Sequence, residues 1–158
     1  AASAAMQAIN KNHWPANYYF IAGSSLLISG VNSQNSKSIQ RSILFLKKAI
    51  DISPFSTPVL LQLARAYRVQ GSALSIEMER KVLEFVLSFD PKNVNALAAL
   101  TKNLAEIKRG RDAFIVFERL KIAFEYFKER PNFGPYHFSV GYVATKVGDY
   151  KYAKYIYN

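Results

Sequence analysis

The sequence predicts an all-α fold, a right-handed α-solenoid of about four stacked antiparallel helix hairpins. Glycines Gly30, Gly71, Gly110 and Gly148 recur at steps of 41, 39 and 38 residues. Prolines Pro54, Pro91 and Pro131 recur at steps of 37 and 40, and each interval holds two runs of helical periodicity. Two kinds of punctuation that keep nearly one step mark an internal repeat built on a helix pair. The units read as about 16–54, 57–91, 94–131 and 134–158, with residues 1–15 as the remnant helix of a preceding unit. The last unit reads as truncated, and the chain, which opens at Ala1 without a methionine, as cut from something longer.

The first helix of each unit is predicted from a large–x–x–large–small–x–x–large pattern. It runs Tyr19, Ala22, Gly23, Leu26, then Leu60, Leu63, Ala64, Tyr67. Units three and four give Leu97, Leu100, Thr101, Leu104 and His137, Val140, Gly141, Ala144. Steps of three and four residues gather these side chains on one helix face, and the small residue lets a partner helix approach closely. The second helices carry Ser42, Leu46, Ala49, then Glu79, Leu83, Val86, then Ala113, Phe117, Leu120, and last Ala153 and Tyr157. Glu79 fits this apolar seam poorly.

The four glycines are assigned to the turns inside the hairpins, and the prolines to the breaks between them. The polar run Val31–Ser38 is expected to be an exposed, mobile loop inside unit one. Arg111–Arg130 is expected to run unbroken as about five helical turns, roughly 30 Å, and to project beyond its neighbours.

Half of the 158 residues are apolar and 20% are charged, a globular rather than disordered balance. The net charge is +10, and no acidic residue stands before Asp51. Such a surplus suits acidic protein segments, nucleic acid or an anionic membrane surface. There are no cysteines, which removes disulfides and thiolate metal sites. The most apolar stretch, Tyr18–Val31, is broken by glycines and serines and is shorter than the ~20 residues of a membrane span. The opening Ala1–Asn10 lacks the basic start and apolar core of a signal peptide.

No catalytic, metal-binding or cofactor signature emerges. The two histidines, His13 and His137, stand far apart without ligand neighbours, and His137 falls on the inward face of the last unit as a packed residue. Glu77 and Glu79 read as solvated helix carboxylates. Neither a phosphate-cradling glycine loop nor a nucleophile elbow is present. The aromatics Phe114, Phe117, Phe124, Tyr126 and Phe127, with the tail Tyr150, Tyr152, Tyr155 and Tyr157, have the spacing of helix seams. Phe124 and Phe127 together span more of the helix than one seam needs, which suggests a second contact surface.

Taken together, the small-residue pattern, the turn glycines and the hairpin repeat resemble the tetratricopeptide repeat (TPR) family, over roughly Ala16–Asn158. The closest stretches are Leu60–Gly71 and the run Val140, Gly141, Ala144, Gly148, Asp149, Tyr150, Ala153, Tyr157. The resemblance is degenerate: the family's usual Trp is absent, and each step exceeds its period of about 34 residues.

The resemblance implies a concave groove lined by the first helices that receives a partner peptide or helix. Carried onto this chain, the lining residues are Asn17, Phe20 and Ser24, then Leu61, Arg65 and Arg68, then Ala98 and Lys102, and finally Phe138, Tyr142 and Lys146. Family members that clamp acidic chaperone tails place a Lys and an Asn at set first-helix positions, where this chain has Phe20 and Ser24, or Leu61 and Arg65. The groove expected here is mixed, with cations for carboxylates beside apolar purchase.

The functional expectation is a non-catalytic scaffold, a subunit or fragment of a larger assembly, whose partners are proteins with acidic or amphipathic segments. The alternative is a nucleic-acid-associated repeat protein using the patch Lys108, Arg109 and Arg111. No small-molecule substrate is implied.

Overall fold

The computed structural model describes residues 15–127 and 134–157. Within them the chain forms eight helices and no strand: α1 (Ala16–Asn32), α2 (Ser36–Ile52), α3 (Thr57–Gln70), α4 (Ala73–Phe89), α5 (Val94–Glu106), α6 (Gly110–Phe127), α7 (Gly134–Val147) and α8 (Tyr150–Tyr157). Short turns pair them as hairpins. The chain divides into two compact units at Val82/Leu83, inside α4.

In unit 1, α1 packs along α2, and α3 then packs against both of them. In unit 2, α5 pairs with α6 and α7 with α8, and α7 contacts both helices of the preceding hairpin. Within each unit, then, a hairpin covers the apolar flank of the next, which is solenoid stacking rather than bundle closure. Unit 1 gathers Leu27, Ile43, Leu46, Val59, Leu63 and Tyr67 into one buried cluster, with Met78 and Val82 of α4 against it. In unit 2, Leu97, Phe117, Leu120, Phe124 and Val140 are all sealed from solvent. Each such side chain contributes about 1.5–3 kcal/mol relative to exposure.

The small positions act as the pattern requires. A Cβ built on Gly23 would lie 2.8 Å from Leu46 Cγ, and one on Gly141 would lie 2.6 Å from the Tyr157 ring. Glycine here is a packing residue, and it lets the second helix seat against the first helix's backbone.

The turns correct the sequence reading. Gly71 and Gly148 are left-handed, with φ of 72° and 85°. Gly30 instead lies inside α1, where an added Cβ would meet Ile39 at 2.9 Å. Gly110 opens α6. The left-handed residues of those two hairpins are Gln34 (φ 51°) and Lys108 (φ 61°). Each left-handed residue is followed by the residue that stands just before the next helix, giving the pairs Gln34–Asn35, Gly71–Ser72, Lys108–Arg109 and Gly148–Asp149. Three of the four share one bonding pattern. The second residue's N–H reaches back five residues, from Asn35 to Gly30 O, Arg109 to Leu104 O and Asp149 to Ala144 O, each at 2.9 Å. This is a Schellman closure, which satisfies the last carbonyls of the first helix. In two of the three the same residue then caps the second helix: Asn35 Oδ1 accepts from Lys37 N–H at 3.0 Å, and Asp149 Oδ1 from Tyr152 N–H at 3.0 Å. Ser72 Oγ likewise accepts from Ser75 N–H at 3.1 Å. The left-handed positions recur at steps of 37, 37 and 40 residues.

Three further expectations change. The mobile loop Val31–Ser38 shrinks to the turn 33–35, because α1 continues to Asn32 and Asn35 caps α2 at once. Phe124 does not serve a second surface; it is 1% exposed, its ring edge-on to His137 at 4.9 Å. Glu79 is not solvated but 3% exposed, and accepts from Arg68 Nε at 3.0 Å. The misfit carboxylate therefore keeps its place in the seam through an ion pair with α3.

Among the described residues α6 extends to Phe127 and, with 18 residues, matches the 17-residue α1, α2 and α4. Pro54 and Pro91 lie in the connections between hairpins. Pro131, the remnant helix at 1–14 and the side chains of Phe127 and Phe138 lie outside the described residues. Pro15 precedes α1 and accepts from Tyr18 N–H at 2.9 Å.

Candidate partner-binding site

In unit 1 the first-helix residues differ in character. Asn17 and Arg65 are exposed, while Phe20, Ser24 and Leu61 are half-buried. Phe20 packs on the apolar cluster of the unit, so its ring serves the core as well as the face. Arg68 is half-buried, and its guanidinium is turned to Glu79. Of the two cations expected here, Arg65 is the one that faces solvent.

In unit 2 the corresponding residues converge. Tyr142, on the third turn of α7, is half-buried. Lys102 Nζ from α5 lies 5.5 Å from the centre of its ring, and Lys146 Nζ, one turn further along α7, lies 5.4 Å away. The two ammoniums are held near one electron-rich face system, each within cation–π range. Lys102 also has a loose contact, 3.9 Å, with Glu106. Beside them opens a cleft of about 450 Å³ lined by Asn95, Ala98, Ala99, Ser139, Tyr142 and Val143. Its small alanines leave room for an apolar side chain, and its cations stand at the rim. Phe138 belongs to α7, but its side chain is outside the described residues. Asn95 and Ala99 were not foreseen. With Ala98 and Lys102 they stand at i, i+3, i+4 and i+7 on α5, so the register of that helix carried the signal.

The alternative patch is mixed rather than uniformly basic. Lys108, Arg109 and Arg111 are exposed at the start of α6, but Arg109 Nε donates to Asp112 Oδ2 at 2.7 Å. Two of its three charges remain without a carboxylate among the described residues.

A polar seam joins α6 to the last hairpin. Lys121 Nζ lies 2.6 Å from Glu118 and 3.3 Å from Asp149, and 5.3 Å from the rings of both Phe117 and Tyr152. Its pKa is raised, chiefly by the Glu118 hydrogen bond, against a burial cost and with further help from Asp149. Tyr152, whose hydroxyl donates to Glu125 at 3.3 Å, has its pKa raised by burial first and then by the Glu125 charge. This seam fixes where α8 sits and thereby supports α7, which carries Tyr142 and Lys146.

Among the described residues no helix is long and apolar enough to cross a membrane. No protein-family model matches the chain, and no curated protein matches it. Among solved structures, a mutant of MamA is similar at 20% identity, over 90% of this chain and 93% of that one, with a TM-score of 0.48. The all-α hairpin architecture rests on the helices themselves.

Proposed function

We propose that this chain is a non-catalytic, TPR-like interaction scaffold whose first-helix face holds an acidic or amphipathic segment of a partner protein. The observation that carries the reading is the Lys102–Tyr142–Lys146 cluster beside an apolar cleft. Each ammonium is held by the ring in place, and a partner carboxylate that reaches either one gains a charge-assisted hydrogen bond stronger than the cation–π contact. The ring and the alanine-lined cleft accept the apolar side chain that follows in an amphipathic segment. In unit 1, Asn17, Phe20, Ser24, Leu61 and Arg65 offer a weaker version of the same chemistry, with one exposed cation in place of two.

The test is a titration of the full chain with a synthetic peptide alternating Glu and Leu. Each charge-assisted contact contributes about 1.5–3 kcal/mol, so the double variant Lys102→Glu, Lys146→Glu should weaken binding by roughly tenfold or more. Tyr142→Ala should weaken it less. Unchanged affinity in the double variant removes the site. Tight, steeply salt-dependent binding of single-stranded RNA that is lost on changing Lys108 and Arg111 would replace the reading with the nucleic-acid one.

A further inference from the structure

The second-helix side of unit 2 carries a surface that the first-helix face leaves unused. Helix α6 presents Ile115, Ile122 and Tyr126 at 55, 69 and 59% exposure. Steps of seven and four residues place them on one helix face, and the exposed Arg119 falls in the same row. Positions 115, 119, 122 and 126 thus have the alternating three- and four-residue spacing of a two-helix seam. Isolated surface apolar residues are ordinary, but a row of them at seam spacing is a contact pattern.

Beside the row lies a cleft of about 360 Å³ between α4, α5 and α6. Leu87, Leu104 and Val116 line it, and Arg109 and Arg119 stand at its edge. Around both features the acidic groups already have cationic or hydroxyl partners: Asp112 with Arg109, Glu118 with Lys121, and Glu125 with the Tyr152 hydroxyl. Three cations do not have such a partner. Among the described residues Arg111 has no carboxylate, Arg119 makes only a long contact, 3.5 Å, to Pro91 O, and Lys92 Nζ rests 4.6 Å from the centre of the Tyr126 ring. The surface is therefore apolar along its centre with positive charge left over at its margin.

We propose that this face docks an acidic amphipathic helix of a partner protein. Its apolar side chains cover Ile115, Ile122 and Tyr126, one of them enters the cleft over Leu104 and Val116, and its carboxylates meet Arg111 and Arg119. The apolar row selects this occupant over a nucleic acid, whose phosphate backbone would leave Ile115 and Ile122 uncovered, and Arg111 and Arg119 supply the complement to its carboxylates. The surface is independent of the Lys102–Tyr142–Lys146 cluster, since it uses the second helix of the hairpin instead of the first.

The probe is a three-heptad synthetic helix with Leu at the seam positions and Glu at the flanks, titrated into the full chain. Ile122→Asp should weaken its binding at least tenfold, and circular dichroism should show that this exposed position leaves the fold unchanged. Arg111→Glu with Arg119→Glu should weaken it similarly, and a helix with Lys in place of Glu should bind that double variant. Lys102→Glu with Lys146→Glu should leave the affinity within twofold, which separates this surface from the one proposed above. Binding indifferent to Ile122→Asp overturns the proposal, as does loss of binding in the Lys102/Lys146 variant. Displacement of the probe by single-stranded RNA would assign the face to nucleic acid, and self-association abolished by Ile122→Asp would assign it to a second copy. Either result overturns the acidic-helix occupant.

Discussion

The first and last hairpins solve one packing problem with different forces. In both, a glycine on the first helix admits a large side chain from the second: Gly23 beneath Leu46, and Gly141 beneath Tyr157. Leu46 is fully sealed, whereas Tyr157 remains 53% exposed. Hairpin one has no acidic residue before Asp51, so α1 and α2 are held by apolar contact, the Asn35 cap and a cation–π contact of Lys48 with the Tyr19 ring at 5.7 Å, without an ion pair to a carboxylate before Asp51. Hairpin four is tied to α6 through Lys121, Asp149, Tyr152 and Glu125. A repeated shape does not require repeated energetics. The two hairpins should therefore respond differently to truncation, crowding and pH.

Truncation gives the largest contrast. Leu46→Ala should cost about 2–5 kcal/mol, as for a buried leucine, while Tyr157→Ala should cost about 1 kcal/mol, since half of its ring already meets water. Denaturant melts of the two variants measure the gap, and equal losses would break the comparison. Crowding comes next. Gly23→Ala should destabilise by about 1–3 kcal/mol because Leu46 is enclosed and cannot move away. Gly141→Ala should cost less, because the half-exposed Tyr157 ring can swing its far end away, and it should be favourable in a Tyr157→Ala background, where about 1 kcal/mol of helix propensity is recovered with no ring to displace.

Alkaline pH should act through the last hairpin. Lys121 and Tyr152 both have folded-state pKa values raised above their ordinary 10.5 and 10.0. A raised value means the folded state holds its proton more tightly. The associated stability is complete below the unfolded pKa and is lost as pH climbs through the folded one. Thermal stability should therefore fall above about pH 10, and Tyr152→Phe should gain relative to the parent as pH rises through that range. Superimposable alkaline profiles of parent and variant would remove Tyr152 from this account. The smallest expected effect is at the turns. Gln34→Gly and Lys108→Gly relieve a left-handed strain of about 1–2 kcal/mol but add unfolded-chain entropy, so each should stabilise by about 0.5–1 kcal/mol. Thermal melts would show the gain as a small rise in midpoint.

The repeat was readable because apolar spacing and small residues report directly on helix faces. The turns were only half readable, since glycine meets two separate needs. At Gly71 and Gly148 it supplies a positive φ, while at Gly30 it supplies room for Ile39, and spacing alone cannot distinguish these. Gln34 and Lys108 adopt the left-handed turn with nothing in their identity to announce it; the Schellman bonds and the capping residue behind them impose it. Glu79 looked misplaced because its partner Arg68 is on the preceding helix, 11 residues away. At the candidate site, Lys146 follows Tyr142 by four residues on α7, so that contact is local and legible; the approach of Lys102 from α5 depends on how α5 and α7 pack, and no local pattern encodes it.

Helix α4 has one further consequence. Its opening turns, through Val82, belong to one compact unit and its closing turns, from Leu83, to the other. A stub of two or three turns is too short to stay helical in water without a core to lean on. Loosening either unit should leave its own end of this rod exchanging amide protons while the far end stays protected. One uninterrupted helix would then carry two protection levels, and hydrogen exchange along Ala73–Phe89 would show from within a single element which half of the protein opens first.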